Sequence, residues 1–380
     1  MSFIPEIEFN LITIVFFVFC FAVLLQLYFI LRFPIRLLRK KYFKEAEKKS
    51  NLPNISVIIC ARNEEDSLAK NIPLILEQDY PFFELIVVND QSMDESAAII
   101  KALQTKHKNL RLIDLKRNQH KRIGKKLPLT VGIKGAKHEH VVLTDADCRP
   151  TSKKWLRRMV EGYTEEKEIV LGYSPYTKAK GFLNRMIRFD TAMIGANYFG
   201  FALAGRAYMG VGRNLSYKRE LFFKVEGFKD HYHVQSGDDD LFVQQVATKS
   251  NVGIQVCEDA HIESAPKKTW KAWIRQKQRH FTTAPEYRLI NKILLGIFPM
   301  SMFLMLSSFV ILLVNYEWWL FVLAIFTLRT IIYWLVYSKV LKKLNEKDLR
   351  GWYPVMELAH FLIIPFIYYG TNRSSKKPKW

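Results

Sequence analysis

Long apolar runs lie near both ends of the chain, and shorter apolar runs alternate with helix-like stretches between them. Residues 9–31 contain no charged side chain, and a helix of that length crosses the hydrocarbon core of a bilayer. The run lacks a basic start and a small-residue cleavage site, so it predicts an anchoring helix rather than a signal peptide. Residues 293–314 and 318–340 predict a transmembrane hairpin, in which Arg329 needs a partner or water.

The charges beside these runs predict the topology. Six lysines and arginines lie within residues 32–44, whereas the charges before residue 9 are glutamates. The positive-inside rule then places the following domain in the cytoplasm, at the inner membrane of the cell. The cations also suit anionic membrane lipids, although a plain stop-transfer flank would explain them equally. Residues 354–369 are short and carry Glu357 and His360, so we expect a C-terminal membrane region, 293–370, with two spans and a third re-entrant or interfacial segment.

The part of the chain between the membrane-like segments has the pattern of a soluble α/β domain. Strand-like runs occupy residues 55–60, 84–90, 111–115, 141–144, 169–173 and 253–257, and helix-like spacing occupies residues 67–78, 93–107 and 127–138. Their alternation predicts βαβ units and a mainly parallel sheet. Residues 176–212 are amphipathic and basic. They fit a membrane-surface or acceptor-pocket segment and, equally well, a core-facing helix.

Composition narrows the function classes. Lys+Arg total 57 against 36 Asp+Glu, a formal net charge of +21, which favours an anionic partner such as a phosphorylated substrate, anionic lipid or nucleic acid. The basic residues flank the apolar runs rather than forming a stripe, so we expect no nucleic-acid partner. A basic membrane protein that binds nucleic acid remains the alternative outside the enzymes. The four cysteines are far apart, which argues against a zinc knuckle or disulfide framework.

Two aspartates follow the strand-like run at residues 141–144. Asp145 and Asp147 are spaced i, i+2, so in extended chain they face one side. They fall at the carboxyl end of a predicted strand, where open α/β sheets bind ligands. Carboxylate oxygens suit Mg²⁺ or Mn²⁺, and these ions suit phosphates. The pair therefore predicts a divalent-cation site for a diphosphate, with a solvated loop as the alternative.

Further polar groups accompany this pair. Asp90 ends another predicted strand, and three consecutive acids, which are costly together without a cation or a task, follow Gly237. Three more polar residues share one face of a predicted helix at i, i+3 and i+4: Gln276, Arg279 and His280.

Together these residues resemble the family 2 glycosyltransferases with the GT-A fold, a Rossmann-like α/β fold with a mainly parallel sheet. The resemblance is to membrane-anchored members of the ceramide glucosyltransferase-like and polysaccharide synthase-like kinds, and it covers about residues 53–285. Five segments match the family's motifs in order: 56–64, 88–94, 144–147, 237–241 and 276–280. One departure is His280, which stands where the family's motif has Trp.

The resemblance implies an inverting transfer of a sugar from a nucleotide-diphosphate sugar to a lipid or lipid-linked acceptor, with synthesis of an extracellular or cell-wall polysaccharide as the alternative. It implies a Mg²⁺ or Mn²⁺ cofactor on Asp145 and Asp147. The implied nucleotide and diphosphate contacts are Ala61, Arg62, Asn63, Glu64, Asp90, Lys125, Asp145, Gln276, Arg279 and His280. The catalytic acids are Asp238, Asp239 and Asp240, among which Asp239 is the preferred base and Asp238 its close alternative.

Overall fold

The computed structural model describes residues 10–40, 52–116 and 124–371. Its helices are α1 (Leu11–Arg32), α2 (Pro34–Arg39), α3 (Glu65–Leu76), α4 (Ser96–Gln104), α5 (Lys126–Gly135), α6 (Trp155–Val160), α7 (Phe182–Leu203), α8 (Arg219–Lys224), α9 (Asp240–Val246), α10 (Trp270–Phe281), α11 (Leu289–Asn315), α12 (Trp319–Lys343) and α13 (Tyr353–Thr371). Its strands are β1 (Ile55–Ala61), β2 (Phe83–Asp90), β3 (Leu110–Leu115), β4 (His140–Asp145), β5 (Cys148–Pro150), β6 (Ile169–Gly172), β7 (Leu215–Lys218), β8 (Val252–Gln255) and β9 (Ile262–Ser264).

Seven of these strands form one mixed sheet in the order β3-β2-β1-β4-β7-β6-β8, and β5 pairs with β9. The first four strands are parallel, β7 is antiparallel to both its neighbours, and β8 is again parallel to β6. The predicted α/β sheet is confirmed, and β7 is a strand that the sequence did not predict. The order reverses between β1 and β4, so a ligand crevice is expected at their carboxyl ends.

Every residue of β1 is buried because helices cover both faces of the sheet. Val57 and Ile59 pack with α3, α4 and α6, whereas Ile58 and Cys60 pack with α5 and α7. Helix α5 lies very close to the sheet at Gly132, where a Cβ atom would stand 2.6 Å from Ile58 Cγ2. This tight fit fixes the position of the helix start, which carries two lysines of the site.

Helix α7 occupies most of residues 176–212, which the sequence allowed to be a membrane-surface or acceptor-pocket segment or a core-facing helix. Most of its 22 residues are buried, and Arg188 is 2% exposed. Arg188 forms ion pairs with Glu346 and Asp348, which follow α12. The segment is therefore a core helix, and it also joins the α/β part of the chain to the C-terminal helices.

Within the residues that the structure describes, three helical segments are long and apolar enough to cross a membrane: Leu11–Arg39, Leu289–Asn315 and Trp319–Lys343. They correspond to the three predicted spans. Helix α13 is not among them, and it packs against α10 and α12.

Arg329 of α12 has the partners that its place in an apolar run requires. It is 2% exposed and donates to both carboxylate oxygens of Glu357 in α13, at 2.7 and 2.9 Å. It also donates to Gln26 of α1 at 2.6 Å. The network links three helices, and the expectation of a partner for Arg329 is confirmed.

Candidate active site

The carboxyl ends of β1, β2 and β4 bring the first predicted site residues together. Cys60 pairs with Asp145 in the ladder between β1 and β4. Ala61 pairs with Asn89 on the other side of β1, one residue before Asp90. The segments that leave these three strands therefore start side by side at the switch point of the sheet.

The segments after β1 and β2 are tied to each other. Arg62 Nη1 lies 3.8 Å from Asp90 Oδ2. Asn63 accepts a hydrogen bond from the N–H of Met93 at 2.8 Å, and its own N–H donates to Ser92 Oγ at 2.9 Å. Asp90 is 5% exposed, and burial raises its pKa despite the nearby guanidinium.

The predicted cation site lies at the end of β4. Carboxylate oxygens of Asp145 and Asp147 and the Cys148 thiol lie within 4.8 Å of one another. Lys125 donates to Asp145 Oδ1, and its ammonium holds the pKa of Asp145 below the usual value although burial opposes this. Asp147 is exposed. Burial raises the pKa of Cys148, which keeps the thiol protonated, so the two carboxylates are the donors that suit a hard divalent ion.

Asp240, the last acid of the run, is fully engaged by the protein. Its Oδ2 accepts from Thr283 Oγ1 at 2.5 Å and from the Tyr287 hydroxyl at 2.7 Å. Its Oδ1 accepts from the N–H of Leu241 at 2.8 Å. The residue is 6% exposed. Asp240 therefore anchors the segment after α10 and has little freedom to accept a proton from a substrate.

Asp239 and Asp238 have different surroundings. Asp239 accepts from the N–H of Gly212 and from that of Asp240, each at 2.8 Å. Burial, followed by the charges of Asp238 and Asp240, raises the pKa of Asp239 to about 8. Among the described residues Asp238 accepts no hydrogen bond, and a Cβ on Gly212 would lie 3.6 Å from its Oδ2. Both carboxylates thus face Gly212, and only Asp238 is free of a protein donor in the described chain.

Helix α10 presents its predicted residues to the same space. Gln276 donates to the Tyr176 hydroxyl at 3.0 Å. His280 lines the same space, and loss of water contact, followed by the charges of Lys277 and Arg279, lowers its pKa to about 3. The imidazole is therefore neutral at neutral pH, which leaves Arg279 as the cation of this group of three.

A buried ion pair holds α10 in place. Lys277 donates to both carboxylate oxygens of Asp190 in α7, at 3.1 and 2.9 Å. His360 of α13 contacts the same carboxylate at 3.0 Å. Lys277, followed by His360, lowers the pKa of Asp190 to about 2 although burial opposes this. Three helices that border the site thus meet on one carboxylate.

The sequence did not predict a role in binding or in positioning for two cations near the site, Arg213 and Lys126. Arg213 follows Gly212, and its guanidinium lies 4.5 Å from the centroid of the Tyr176 ring. Lys126 is 4% exposed and donates to the carbonyl oxygens of His231 and Val234, the second at 2.8 Å. Lys126 thereby ties the start of α5 to the loop before the acidic run. The adjacent Lys125 was the available signal for Lys126, whereas Arg213 stands outside every segment that the sequence singled out.

Most of these groups line one large space, here called the central cavity, with a volume of about 1730 Å³. Its polar end includes the site residues Arg62, Glu64, Lys125, Asp145, Asp147, Arg213, Asp238, Asp239, Asp240, Gln276, Arg279 and His280. Its apolar end includes Leu295, Pro299, Met300 and Phe303 of α11 and Phe361, Ile364 and Pro365 of α13. Three predicted contacts, Ala61, Asn63 and Asp90, do not line the cavity. Ala61 lies within the buried strand β1, and Asp90 is itself buried.

Comparison with known families agrees with this geometry. Residues 56–225 match the model of glycosyl transferase family 2. The matched segment makes up a little less than half of the chain. It begins in β1 and extends past β7. The resemblance to family 2 glycosyltransferases is confirmed, and three of the five sequence motifs lie within the matched residues.

Individual relatives extend the comparison. A probable glycosyltransferase of Bacillus subtilis, YdaM, is 26% identical over 248 residues, which cover 62% of this chain and 56% of that protein. The poly-β-1,6-N-acetyl-D-glucosamine synthase of Staphylococcus epidermidis is 34% identical over 93 residues, 24% of this chain and 21% of that one. The chain thus spans about half, or less, of the length of these curated relatives.

A solved structure supports the fold. The mannosyltransferase PcManGT from Pyrobaculum calidifontis, in complex with GDP-Man and Mn²⁺, matches with a TM-score of 0.55. It is 18% identical, and the match covers 93% of this chain and 99% of that one. The predicted GT-A fold is confirmed by this likeness and by the sheet order.

Proposed function

We propose that this protein transfers a sugar from a nucleotide-diphosphate sugar to a hydroxyl group of a lipid or lipid-linked acceptor, with inversion at the anomeric carbon. The observation that carries the proposal is the central cavity, which joins polar donor-side groups to apolar side chains of α11 and α13. Helix α11 is long and apolar enough to cross a membrane. An acceptor with a polar head and an apolar tail matches both ends of this space.

The donor side has the groups that a diphosphate needs. Asp147, with Asp145 beside it, would hold a Mg²⁺ or Mn²⁺ ion. When bound, such an ion offsets the charge that develops on the leaving diphosphate. Arg279 of α10 also lines the cavity, and its planar guanidinium can donate to two phosphate oxygens at once. The Mn²⁺ and GDP-Man of the PcManGT complex support a cation and a nucleotide sugar here.

The acidic run supplies the proton acceptor. Asp239 was the preferred base on sequence grounds, but the contacts favour Asp238. A carboxyl group that keeps its proton to about pH 8 is mostly protonated at neutral pH and is then a poor acceptor. Asp238 lines the cavity and has no hydrogen-bond donor within the described residues. We therefore assign the base to Asp238 and give Asp239 the role of holding the loop on Gly212.

The reaction then has one displacement step. The acceptor oxygen forms a bond to the anomeric carbon while the bond from that carbon to the diphosphate oxygen breaks. The hydroxyl proton moves to the Asp238 carboxylate. The electron pair of the broken bond stays with the nucleoside diphosphate, near Arg279. Attack opposite the leaving group turns an α-linked donor into a β-linked product.

The domain boundaries and the membrane topology are part of the same proposal. We propose the division into an anchor at 9–31, a glycosyltransferase domain at 53–285 and a membrane region at 293–370. We propose a cytoplasmic domain because Arg32, Arg36 and Arg39 follow the first span. We also propose that α13 lies at the membrane boundary, since it contacts Asp190 through His360. Protease protection of a C-terminal tag in sealed inside-out vesicles would argue against that placement.

A radiochemical assay tests the proposed activity. Detergent-solubilised protein is incubated with Mg²⁺ or Mn²⁺, a membrane lipid extract and a panel of radiolabelled nucleotide sugars. We expect label to move into the organic phase, with the nucleoside diphosphate as the second product. A product with retained anomeric configuration would contradict the displacement step.

Polysaccharide synthesis is the second candidate, and the staphylococcal synthase supports it through a match of 34% over 93 residues. The same assay separates the two activities. Label in a polymer that stays in the aqueous phase, and that a glycosidase digests, would favour the synthase. Label in a single extractable lipid would favour the lipid acceptor.

A further inference from the structure

A second concave site lies where α1 ends and α2 begins, apart from the central cavity. This groove has a volume of about 540 Å³. Its lining residues are Tyr28, Leu31, Arg32, Arg36, Arg39, Lys40 and Leu203. Four of the seven are cations, and none of the seven lines the central cavity. The groove is therefore a separate place for an anion.

The positive charge of the groove is not neutralised by the described residues. Within residues 10–40, 52–116 and 124–371, none of its four cations forms an ion pair with a carboxylate. Arg36 donates instead to the carbonyl oxygen of Leu203, at 3.4 Å. Lys343 of α12 donates to the carbonyl oxygens of Leu37 and Lys40, at 2.7 and 2.6 Å, and adds a further cation beside α2. Such a concentration of cations attracts an anion.

The other walls of the groove indicate which kind of anion. Tyr28 and Leu31 lie on the last turns of α1 and are 57% and 62% exposed. They belong to the segment Leu11–Arg39, which is long and apolar enough to span a membrane. A soluble phosphate would use the cations but leave these apolar side chains without a partner. A phospholipid has an anionic head and acyl chains, and so matches both walls.

We propose that this groove binds an anionic phospholipid, with its phosphate among Arg32, Arg36 and Arg39 and an acyl chain along Tyr28 and Leu31. The bound lipid would hold α2 at the bilayer surface. Helix α2 is in turn attached to the family 2 domain, because the ring of Phe33, the residue before α2, stacks on that of Phe201 in α7 at 4.0 Å. Helix α7 lines the central cavity through Asp190, Thr191, Ile194 and Tyr198. The proposal stands whether or not the proposed acceptor is correct.

Native mass spectrometry of the full chain tests the proposal. The detergent-purified protein is titrated with phosphatidylglycerol or with phosphatidylcholine of the same acyl chains. We expect retention of phosphatidylglycerol alone. The double variant Arg36→Gln/Arg39→Gln should lower that retention about tenfold, the order expected for two cations near an anionic lipid.

A matched control removes the same amount of charge from α12, the helix whose Lys343 contacts α2. Lys339 and Lys342 lie in the last turns of α12, are exposed and do not line the groove. We expect Lys339→Gln/Lys342→Gln to change retention less than about twofold, because salt screens the attraction between the lipid and exposed charges that do not line the groove. Equal losses in the two double variants would overturn the proposal in favour of general surface charge.

Two further arms of the experiment test the apolar wall and the kind of anion. Leu31→Glu keeps all four cations but places a carboxylate in the groove, and we expect the same loss of phosphatidylglycerol as with the arginine variant. Full retention by Leu31→Glu would overturn the proposal even if the arginine variant failed to fold. Inorganic phosphate should not displace the lipid. Displacement by inorganic phosphate would show a site for a free phosphate anion and would also overturn the proposal.

Discussion

Asp145 and Asp239, two of the carboxylates that line the central cavity, have the same chemistry but opposite surroundings. Asp145 contacts the ammonium of Lys125, which lowers its pKa against the effect of burial. Asp239 is buried beside Asp238 and Asp240, and burial and these charges raise its pKa to about 8. One group is thus kept ionised for binding positive charge, and the other is placed where a proton is easily held.

This difference follows from where the chain places its lysines. Lys125 and Lys126 begin α5 and point to different groups. The first donates to Asp145, and the second donates to the carbonyl oxygens of His231 and Val234 rather than to an acid. The acidic run therefore lies beyond hydrogen-bond distance of either ammonium. In the proposed mechanism, Lys125 belongs to the leaving-group side, and Lys126 holds the loop before the acids of the proton-accepting side.

Replacement of Asp238 by Asn tests the proton-accepting side and should have the largest effect. The amide cannot take a proton, so we expect kcat to fall by about 10²- to 10⁴-fold. Asp230→Asn, an exposed acid of the preceding loop, is the matched control and should stay near wild type. If Asp239→Asn were inactive while Asp238→Asn kept full activity, the base would be Asp239.

Replacement of Asp147 by Asn tests the leaving-group side. We expect kcat to fall about a hundredfold at a fixed metal concentration, because one oxygen donor for the divalent ion is lost. The Mn²⁺ concentration for half-maximal activity should also rise, which a change on the proton-accepting side would not cause. Asp66→Asn, at an exposed position outside the cavity, serves as the control. An unchanged Mn²⁺ dependence would remove Asp147 from the proposed cation site.

The sequence predicted the strands that end at Asp90 and Asp145, because a strand buried on both faces is recognisable from consecutive apolar residues alone. The apolar runs before Asp90 and Asp145 are continuous, as expected for strands buried on both faces. The three membrane-like helices were predicted for the same reason, since apolar length alone defines them. Strand β7 was not predicted, because its place between β4 and β6 depends on pairing with residues far away in the chain.

Contacts between distant residues also explain what could not be predicted in the site. The three acids of the run look equivalent in sequence, yet Asp240 is occupied by Thr283 and Tyr287 from the segment after α10. Only the folded chain shows that Arg62 lies beside Asp90. Motif order could locate the site, but the surroundings of Asp90 and Asp240 depend on Arg62 and Thr283, which are distant in the chain.

Replacement of Lys126 by Met tests whether the loop before the three acids must be held in place for activity. The carbonyl oxygen of Val234 would lose the Lys126 donor, and that of His231 would keep only the N–H of Val234, at a cost of about 1–3 kcal/mol. We expect kcat to fall about tenfold with little change in the KM of the donor, because the cation side keeps Lys125. Lys134→Met, at an exposed position of the same helix, is the control. A rise in donor KM with unchanged kcat would instead place Lys126 on the leaving-group side.

The pH dependence of stability should separate the two groups in the metal-free protein. Since the pKa of Asp239 is about 8 in the fold against an ordinary value of 3.8, the folded state binds the extra proton between these values, and wild-type stability falls as pH rises through that window. Asn cannot titrate, so the Tm of Asp239→Asn should rise relative to wild type by several degrees from about pH 5 to about pH 8. The pKa of Asp145 is lowered, so its stabilising effect is complete above the ordinary value and is lost only in more acidic solution. The Tm difference between Asp145→Asn and wild type should therefore stay constant over the same range, and a parallel drift in both variants would contradict the contrast between the two sides.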